Sequence, residues 1–248
     1  MQFFRPINKV KAMTFDLDDT LYNNEPIIQQ AERALQAHIK AHYPQAARLS
    51  TSDWFTLKKR AIQLDSRLAS DMGQLRRVVL SAALSGTPPE ALHLESSQDP
   101  QINAAVDECF NCFYDARSNF SLEEDIHNTL KEVSAHIPLI AITNGNVDTQ
   151  KIGIDKYFQA SLHASLQRPM KPAPDMFNEA ATMLDMSPEH ILHVGDNIIK
   201  DVYGALKAGY QTAWFACNRP MHLNREPAKL LPHVQLDSLT ELTMFIEG

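Results

Sequence analysis

The sequence predicts an α/β chain, a doubly wound parallel sheet with an inserted α-helical domain. Short apolar runs that each end in acidic or polar residues predict the strands, and helical patterns lie between them. A long stretch rich in Ala, Leu, Gln, Glu, Lys and Arg after the first run predicts the insertion.

Met13-Thr14-Phe15 leads into Asp16-Leu17-Asp18-Asp19-Thr20, which puts three carboxylates within four positions. An apolar, β-branched run reads as a buried parallel strand, and such strands present functional groups at their carboxyl ends. Residues two apart in extended backbone share a face, so Asp16 and Asp18 repel each other unless a proton or cation lies close. A hard divalent ion that takes oxygen ligands, Mg²⁺, meets that need. The plainer reading of Asp18-Asp19-Thr20 is a solvated turn or a helix cap.

Between Asp18 and Thr143 lie far more residues than one helix and one turn require, so the insertion follows the first strand. Ile28, Ala31, Leu35 and Ile39 have the spacing of an amphipathic helix. Pro44, Gly86-Thr87-Pro88-Pro89 and Asp99-Pro100 mark breaks between helices.

The second apolar run, Leu139-Ile140-Ala141-Ile142, ends in Thr143-Asn144-Gly145-Asn146. Thr143 can donate to a phosphoryl oxygen, and Gly145 lets backbone N–H groups approach an anion. An ordinary strand with an Asn-Gly turn is the alternative. In Arg168-Pro169-Met170-Lys171-Pro172, proline limits the backbone and aims the Lys171 stem with little entropy left to lose. By itself such a lysine is an ordinary surface loop residue.

Ile191-Leu192-His193-Val194 opens into Gly195-Asp196, with Asp201 five residues on. A helix that starts just after Gly195 carries Asp201 in its first turns, where it can hold a metal-bound water or Lys171. An acid near a helix N-terminus also complements the helix dipole. Residues 201–210 read as a helix ended by Gly209, and 211–215 as a final core strand.

Together, Asp16-x-Asp18-x-Thr20-Leu21, Thr143-Asn144-Gly145, Lys171-Pro172 and Gly195-Asp196-x-x-x-x-Asp201 resemble the four motifs of the haloacid dehalogenase superfamily. The resemblance implies a catalytic core of residues 1–24 and 116–248 and a helical cap of residues 25–115. It implies that Asp16 is a nucleophile forming an aspartyl phosphate, and that Asp18 protonates the leaving alcohol and then deprotonates water. Thr143 and Lys171 would hold the phosphoryl oxygens, with Asn144 and the backbone of Leu17 adding contacts. Mg²⁺ would be bound by Asp16, the Asp18 carbonyl and Asp196, with Asp201 acting through water or Lys171. A dehalogenase attacks carbon and has no alkoxide to protonate, so Asp18, Asp196 and Asp201 together argue for phosphoryl transfer. A phosphomutase, a sugar-phosphate phosphatase and a non-catalytic phosphometabolite-binding protein are the alternatives.

The segments Phe3-Phe4-Arg5-Pro6-Ile7, Ala141-Ile142-Thr143-Asn144-Gly145-Asn146 and Leu231-Pro232-His233 resemble a bacterial subgroup. Its members include phosphatases acting on flavin mononucleotide (FMN) and on the phosphorylated ribitylamino-pyrimidine precursor of riboflavin. Tyr22, Asn23 and Asn24 just ahead of the cap, and Trp54, Arg76 and Arg77 within it, are candidate substrate contacts. His193 lies on a buried strand pattern and reads as packing or hydrogen bonding.

At 248 residues with a formal net charge of -7 and no basic run, the chain has no general attraction for nucleic acid. No apolar run approaches the roughly 20 residues of a membrane span, and the amino terminus lacks the apolar core of a secretory signal. The expectation is a cytoplasmic enzyme whose partner is a small phosphorylated substrate. Three cysteines cannot all pair within one chain, which fits a reducing compartment. Cys109-Phe110-Asn111-Cys112 has redox spacing but sits in a helical pattern, so packing is the stronger reading.

Overall fold

The computed structural model describes residues 1–246. Two compact units make up the chain: Met1–Asn24, Ser121–Ala164 and Arg168–Gly248 form the first, and Glu25–Phe120 with Ser165–Gln167 the second.

The first unit is built on a seven-stranded sheet. In chain order its elements are β1 (Gln2–Phe3), β2 (Ala12–Phe15), then, after the four helices of the second unit, α5 (Glu124–His136), β3 (Leu139–Thr143), β4 (Ala160–His163), α6 (Asp175–Met183), β5 (Ile191–Gly195), α7 (Gly204–Lys207), β6 (Gln211–Trp214) and β7 (Val234–Gln235). The order across the sheet is β1-β7-β6-β5-β2-β3-β4, with β1 antiparallel to β7 and the other pairs parallel. β2 is fully buried and lies between β5 and β3, where the chain winds off in opposite directions. In such a sheet the crevice beyond the strand ends at that switch point is where ligands bind.

The core strands are continuous apolar runs because both faces are covered. On one side Ala12, Ile140, Ile142 and Ile191 pack with Phe177, Met176 and Ala180 of α6 and with Tyr210. Burying a ring such as Phe177 contributes up to about 3 kcal/mol. The Tyr210 hydroxyl keeps a partner there by donating to the Phe177 carbonyl at 2.6 Å.

One helix departs from its sequence pattern. Residues 201–210 read as one helix, whereas the turn begins earlier, at Ile198–Tyr203, with π-helical spacing, and α7 is short. The cause is local. Asn197 Oδ1 accepts from the Ile199 and Lys200 N–H groups, and its carbonyl accepts from both Asp201 and Val202. Sharing one carbonyl between two donors widens the first turn, and single π turns of this kind concentrate at functional sites.

The second unit holds α1 (Asn24–His42, whose first residue belongs to the sheet unit), α2 (Thr51–Leu64), α3 (Met72–Ser85) and α4 (Pro100–Arg117). Ala31, Leu35 and Ile39 of α1 pack with Leu57, Leu75, Val79, Cys109 and Phe113, as the spacing of apolar residues predicts. Ser50 caps α2 in a reciprocal box with Asp53, and Asp99 caps α4 ahead of Pro100. Arg76 pairs with Glu32 at 2.7 Å and lies over the Phe113 ring, while Arg77 pairs with Asp107 over Phe110. Both therefore have structural partners within the unit, and Trp54 packs against its core. Cys109 is a buried free thiol pushed up to about 12 by burial, which suits packing and opposes thiolate chemistry.

β1, β4 and β7 are short strands that the sequence reading did not separate. The β1–β7 edge is tied to the core through His233. Its Nδ1 accepts from the Thr212 N–H at 3.1 Å, and its carbonyl accepts from Phe4 and Arg5. Burial, helped by the Arg5 charge, lowers the His233 pKa below the ordinary imidazole value of about 6.5. Below that value the unfolded chain binds the proton first, so folded stability falls as pH falls from about 6.5 toward the native pKa. The urea midpoint is expected to drop between pH 7.5 and 5.5, and to drop less in His233→Asn; equal pH dependence in both proteins would remove His233 as the cause.

Candidate active site

Four segments meet at the carboxyl ends of β2, β3 and β5. Phe15 is the last residue of β2, and Asp16 follows it with its N–H bound to the Val194 carbonyl of β5 at 2.8 Å. Parallel pairing aligns Thr14 with His193 on one side and with Ile140 on the other, which brings the three strand tips level.

Lys171 is the only cation bonded to Asp16 among the described residues, and its side chain is 2% exposed. Its Nζ donates to Asp16 Oδ1 at 2.8 Å and to the Ile142 carbonyl at 2.7 Å, and lies 2.6 Å from Asp201 Oδ1. The sequence suggested proline stiffening as what aims this lysine; the structure adds a clamp. Asn144 Oδ1 accepts from the Lys171 N–H at 2.8 Å, and Asn144 Nδ2 donates to the Lys171 carbonyl at 3.0 Å. The Asn144 amide, expected near phosphate, thus grips the lysine backbone from the tip of β3.

Asp201 is almost completely buried and crowded by donors. Its Oδ2 accepts from the Asn197 N–H at 2.9 Å, and its Oδ1 lies 3.3 Å from His193 Nε2. Burial alone would raise its pKa, but the nearby Lys171 ammonium and His193 outweigh that and hold the carboxyl well below its usual range. His193 also meets Thr14 Oγ1 at 2.9 Å through Nδ1 and packs edge-on against Phe177. A neutral imidazole satisfies both contacts, donating from Nε2 to Asp201 and accepting from the Thr14 hydroxyl. Burial favours that form by lowering its pKa. Gly195 makes room for this arrangement: a Cβ there would lie 2.4 Å from Asp201 Cγ, so any side chain would displace the acid.

Asp16, Asp196 and Asp201 offer carboxylate oxygens that all lie within 4.8 Å of one another. Two cations face these three acids, the Lys171 ammonium and the Arg219 guanidinium, whose Nη2 lies 3.9 Å from Asp196 Oδ2, so negative charge stays in excess by one. Burial first, then repulsion from Asp201 and Asp19, pushes the Asp196 pKa up to about 7. Asp16 is raised well above the usual carboxylate range, chiefly by burial, with Lys171 opposing the shift and Asp201 and Asp18 adding to it. A hard divalent cation with oxygen ligands fits this donor set and would offset the surplus charge.

Two residues that sequence reasoning missed hold Asp196 in place. The Trp214 indole donates to the Asp196 carbonyl at 2.6 Å, and Arg219 Nη2 donates to the same oxygen at 3.0 Å. Arg219 is itself paired with Glu226 at 2.7 Å. Neither residue stands in a motif, so only the packing of β6 and the loop after it brings them to Asp196.

Thr143 is fully buried, and its Oγ1 accepts from the Gly145 N–H at 2.9 Å, which leaves the hydroxyl proton to be donated elsewhere. Leu17 is buried between the two acids of the first motif. The Asp18 carboxylate lies outside the three-acid group. Its Oδ1 accepts from the Tyr22 hydroxyl at 2.6 Å, and Gly145 lies against its Oδ2. Asn24 and Asn218 reach the other side of this turn, both donating to Asp19 Oδ1.

A family model described as haloacid dehalogenase-like hydrolase matches residues 10–209. The chain belongs to that family. It is 32% identical to 5-amino-6-(5-phospho-D-ribitylamino)uracil phosphatase YigB of Escherichia coli K12, over 99% of this chain and all of that protein. It is 25% identical to N-acylneuraminate-9-phosphatase of Rattus norvegicus, over 98% and 96% of the two chains. Among solved structures, a 2-haloacid dehalogenase from Pseudomonas syringae superposes with a TM-score of 0.84 at 28% identity, covering 95% of this chain and 97% of that one. YfnB of Bacillus subtilis, at 19% identity and a TM-score of 0.62, shares the fold. Among the described residues, no helix is long and apolar enough to cross a membrane.

Proposed function

We infer that this hydrolase is a Mg²⁺-dependent phosphomonoesterase that works through an aspartyl phosphate, with FMN or a ribitylaminopyrimidine phosphate as substrate. The observation that carries the reading is the surplus of carboxylates, two of them buried, over the Lys171 and Arg219 cations beside the Asp16 oxygen. The full-length likeness to a ribitylaminouracil phosphatase supports the choice of substrate.

In this reading Asp16 attacks phosphorus while Asp18 gives a proton to the departing alkoxide; Asp18 then takes a proton from water, which displaces Asp16 and releases phosphate. Lys171 and the Thr143 hydroxyl bind phosphoryl oxygens, with backbone N–H groups near Leu17 and Asn144 beside them. The Asn144 side chain, gripping the Lys171 backbone, aims the ammonium. Asp16, Asp196 and the Asp18 carbonyl would hold Mg²⁺, with Asp201 behind them on Lys171 and His193. When bound, the ion neutralises charge on the phosphoryl group and on the acids around it.

The dehalogenase named among the structural neighbours raises carbon as a second electrophile. A halide leaves without a proton and brings no phosphate charge, so that chemistry needs neither Asp18 nor the surplus of acids.

The test is phosphate release with and without Mg²⁺ from FMN, ribitylaminopyrimidine phosphate, N-acylneuraminate 9-phosphate and glyceraldehyde 3-phosphate, with halide release from 2-chloropropionate in parallel. Mg²⁺-dependent release with the highest kcat/KM on the first two is expected. Equal rates on simple sugar phosphates would overturn the substrate assignment, and halide release without phosphate release would overturn the reaction class.

A further inference from the structure

Tyr22 lies four residues beyond Asp18, on a turn that returns it to that acid. The turn is tight: Leu21 donates to the Leu17 carbonyl at 2.9 Å, and Asp19 donates to the Tyr22 carbonyl at 2.8 Å. Asp19 adopts a left-handed φ of 62°, which an aspartate tolerates better than most residues. Asp18 and Tyr22 consequently pair as an isolated parallel bridge.

The result is a carboxylate fixed from two sides. The Tyr22 hydroxyl donates to Asp18 Oδ1 at 2.6 Å, at the short end of O–H to oxygen bonds. On the other side, a Cβ added to Gly145 would stand 2.4 Å from Asp18 Oδ2, so the glycine backbone walls that oxygen directly. Tyr22 is a buried residue at 7% exposure, which commits its ring to this place. A tyrosine that only filled space would need no hydroxyl.

We propose that Tyr22 is a positioning residue for Asp18, fixing the plane of the carboxyl group that exchanges a proton with the leaving group and then with water. The proposal rests on the assignment of Asp18 as acid and base. In the first step the bond from Asp16 oxygen to phosphorus forms, the bond from phosphorus to the leaving oxygen breaks, and the Asp18 proton goes to that oxygen. In the second, water bonds to phosphorus, its proton goes to Asp18, and the Asp16 bond breaks. Tyr22 keeps its own proton throughout and supplies orientation alone.

The leaving group separates this role from a structural one. A p-nitrophenolate departs without needing a proton, whereas the alkoxide of an alkyl phosphate requires one. Because kcat/KM reports steps up to the first irreversible one, it isolates attack by Asp16 and loss of the alcohol. Tyr22→Phe is expected to lower kcat/KM for FMN, or for the best alkyl phosphate of the panel above, by roughly 10-fold or more. It should change p-nitrophenyl phosphate by less than about 3-fold, since ring and packing are kept. Asp18→Asn, run in parallel, should show the same selectivity more strongly. Equal losses on both substrates, or no loss on the alkyl phosphate, would overturn the Tyr22 proposal while selectivity in Asp18→Asn leaves the acid assignment standing. Absence of selectivity in Asp18→Asn would overturn both.

Discussion

Asp16→Asn is expected to lower phosphate release by at least roughly 10³-fold, the scale of losing a nucleophile that no neighbour can replace. The substitution keeps the shape of the side chain and leaves one oxygen to accept from Lys171, so the fold should survive with an unchanged circular dichroism spectrum. Labelled substrate distinguishes loss of the nucleophile from general damage. After acid quenching, the native protein should carry a hydroxylamine-labile label on the Asp16 peptide, and the variant none. Label retained in the variant, or activity within 10-fold of native on the scale of roughly 10³ expected above, would remove Asp16 as nucleophile.

Lys171→Met is expected to damage stability as well as turnover. Lys171 is buried against Asp16 and Asp201, and removing one partner of a buried ion pair leaves uncompensated charge that costs about 3–5 kcal/mol. Here two partners lose their cation together. Urea unfolding measures the loss, and Mg²⁺ adds a second reading. Without the ammonium the acids attract a divalent ion more strongly, so Mg²⁺ should raise the unfolding midpoint further in the variant than in the native protein. A loss under about 1 kcal/mol would show that the acids are screened by solvent and that the surplus-charge argument fails.

The places of the candidate site residues were readable in the sequence where a residue type stands out at the end of an apolar run. Asp16, Asp18, Thr143, Lys171, Asp196 and Asp201 each follow an apolar strand or a proline-stiffened segment, and the parallel sheet followed from the same runs. What could not be read are contacts made across the fold. Arg219 and Trp214 reach the Asp196 carbonyl only because β6 lies beside β5. The Asn144 amide meets Lys171 across 27 positions of chain. The π-helical turn before α7 arises from the competition of one asparagine side chain with the helix, which hydrophobic periodicity does not register. Arg76 and Arg77, considered as substrate contacts, illustrate the converse: exposed-looking cations found acids and aromatic rings within their own unit.

The central place of β2 has a consequence for how the chain is made. β2 ends at Phe15, but its two neighbours are β3, which begins at Leu139, and β5, which begins at Ile191. On the ribosome this apolar strand leaves the exit tunnel before either neighbour and waits for partners more than a hundred residues behind it. Non-local pairings of this kind are slow, and an unpaired strand edge is exposed to aggregation meanwhile. The helices encoded between Asn24 and Arg117 can form from local contacts during that interval. The acid cluster is therefore assembled late in synthesis, once Asp196 and Asp201 have emerged, and a nascent chain stalled before them holds Asp16 with no partners around it.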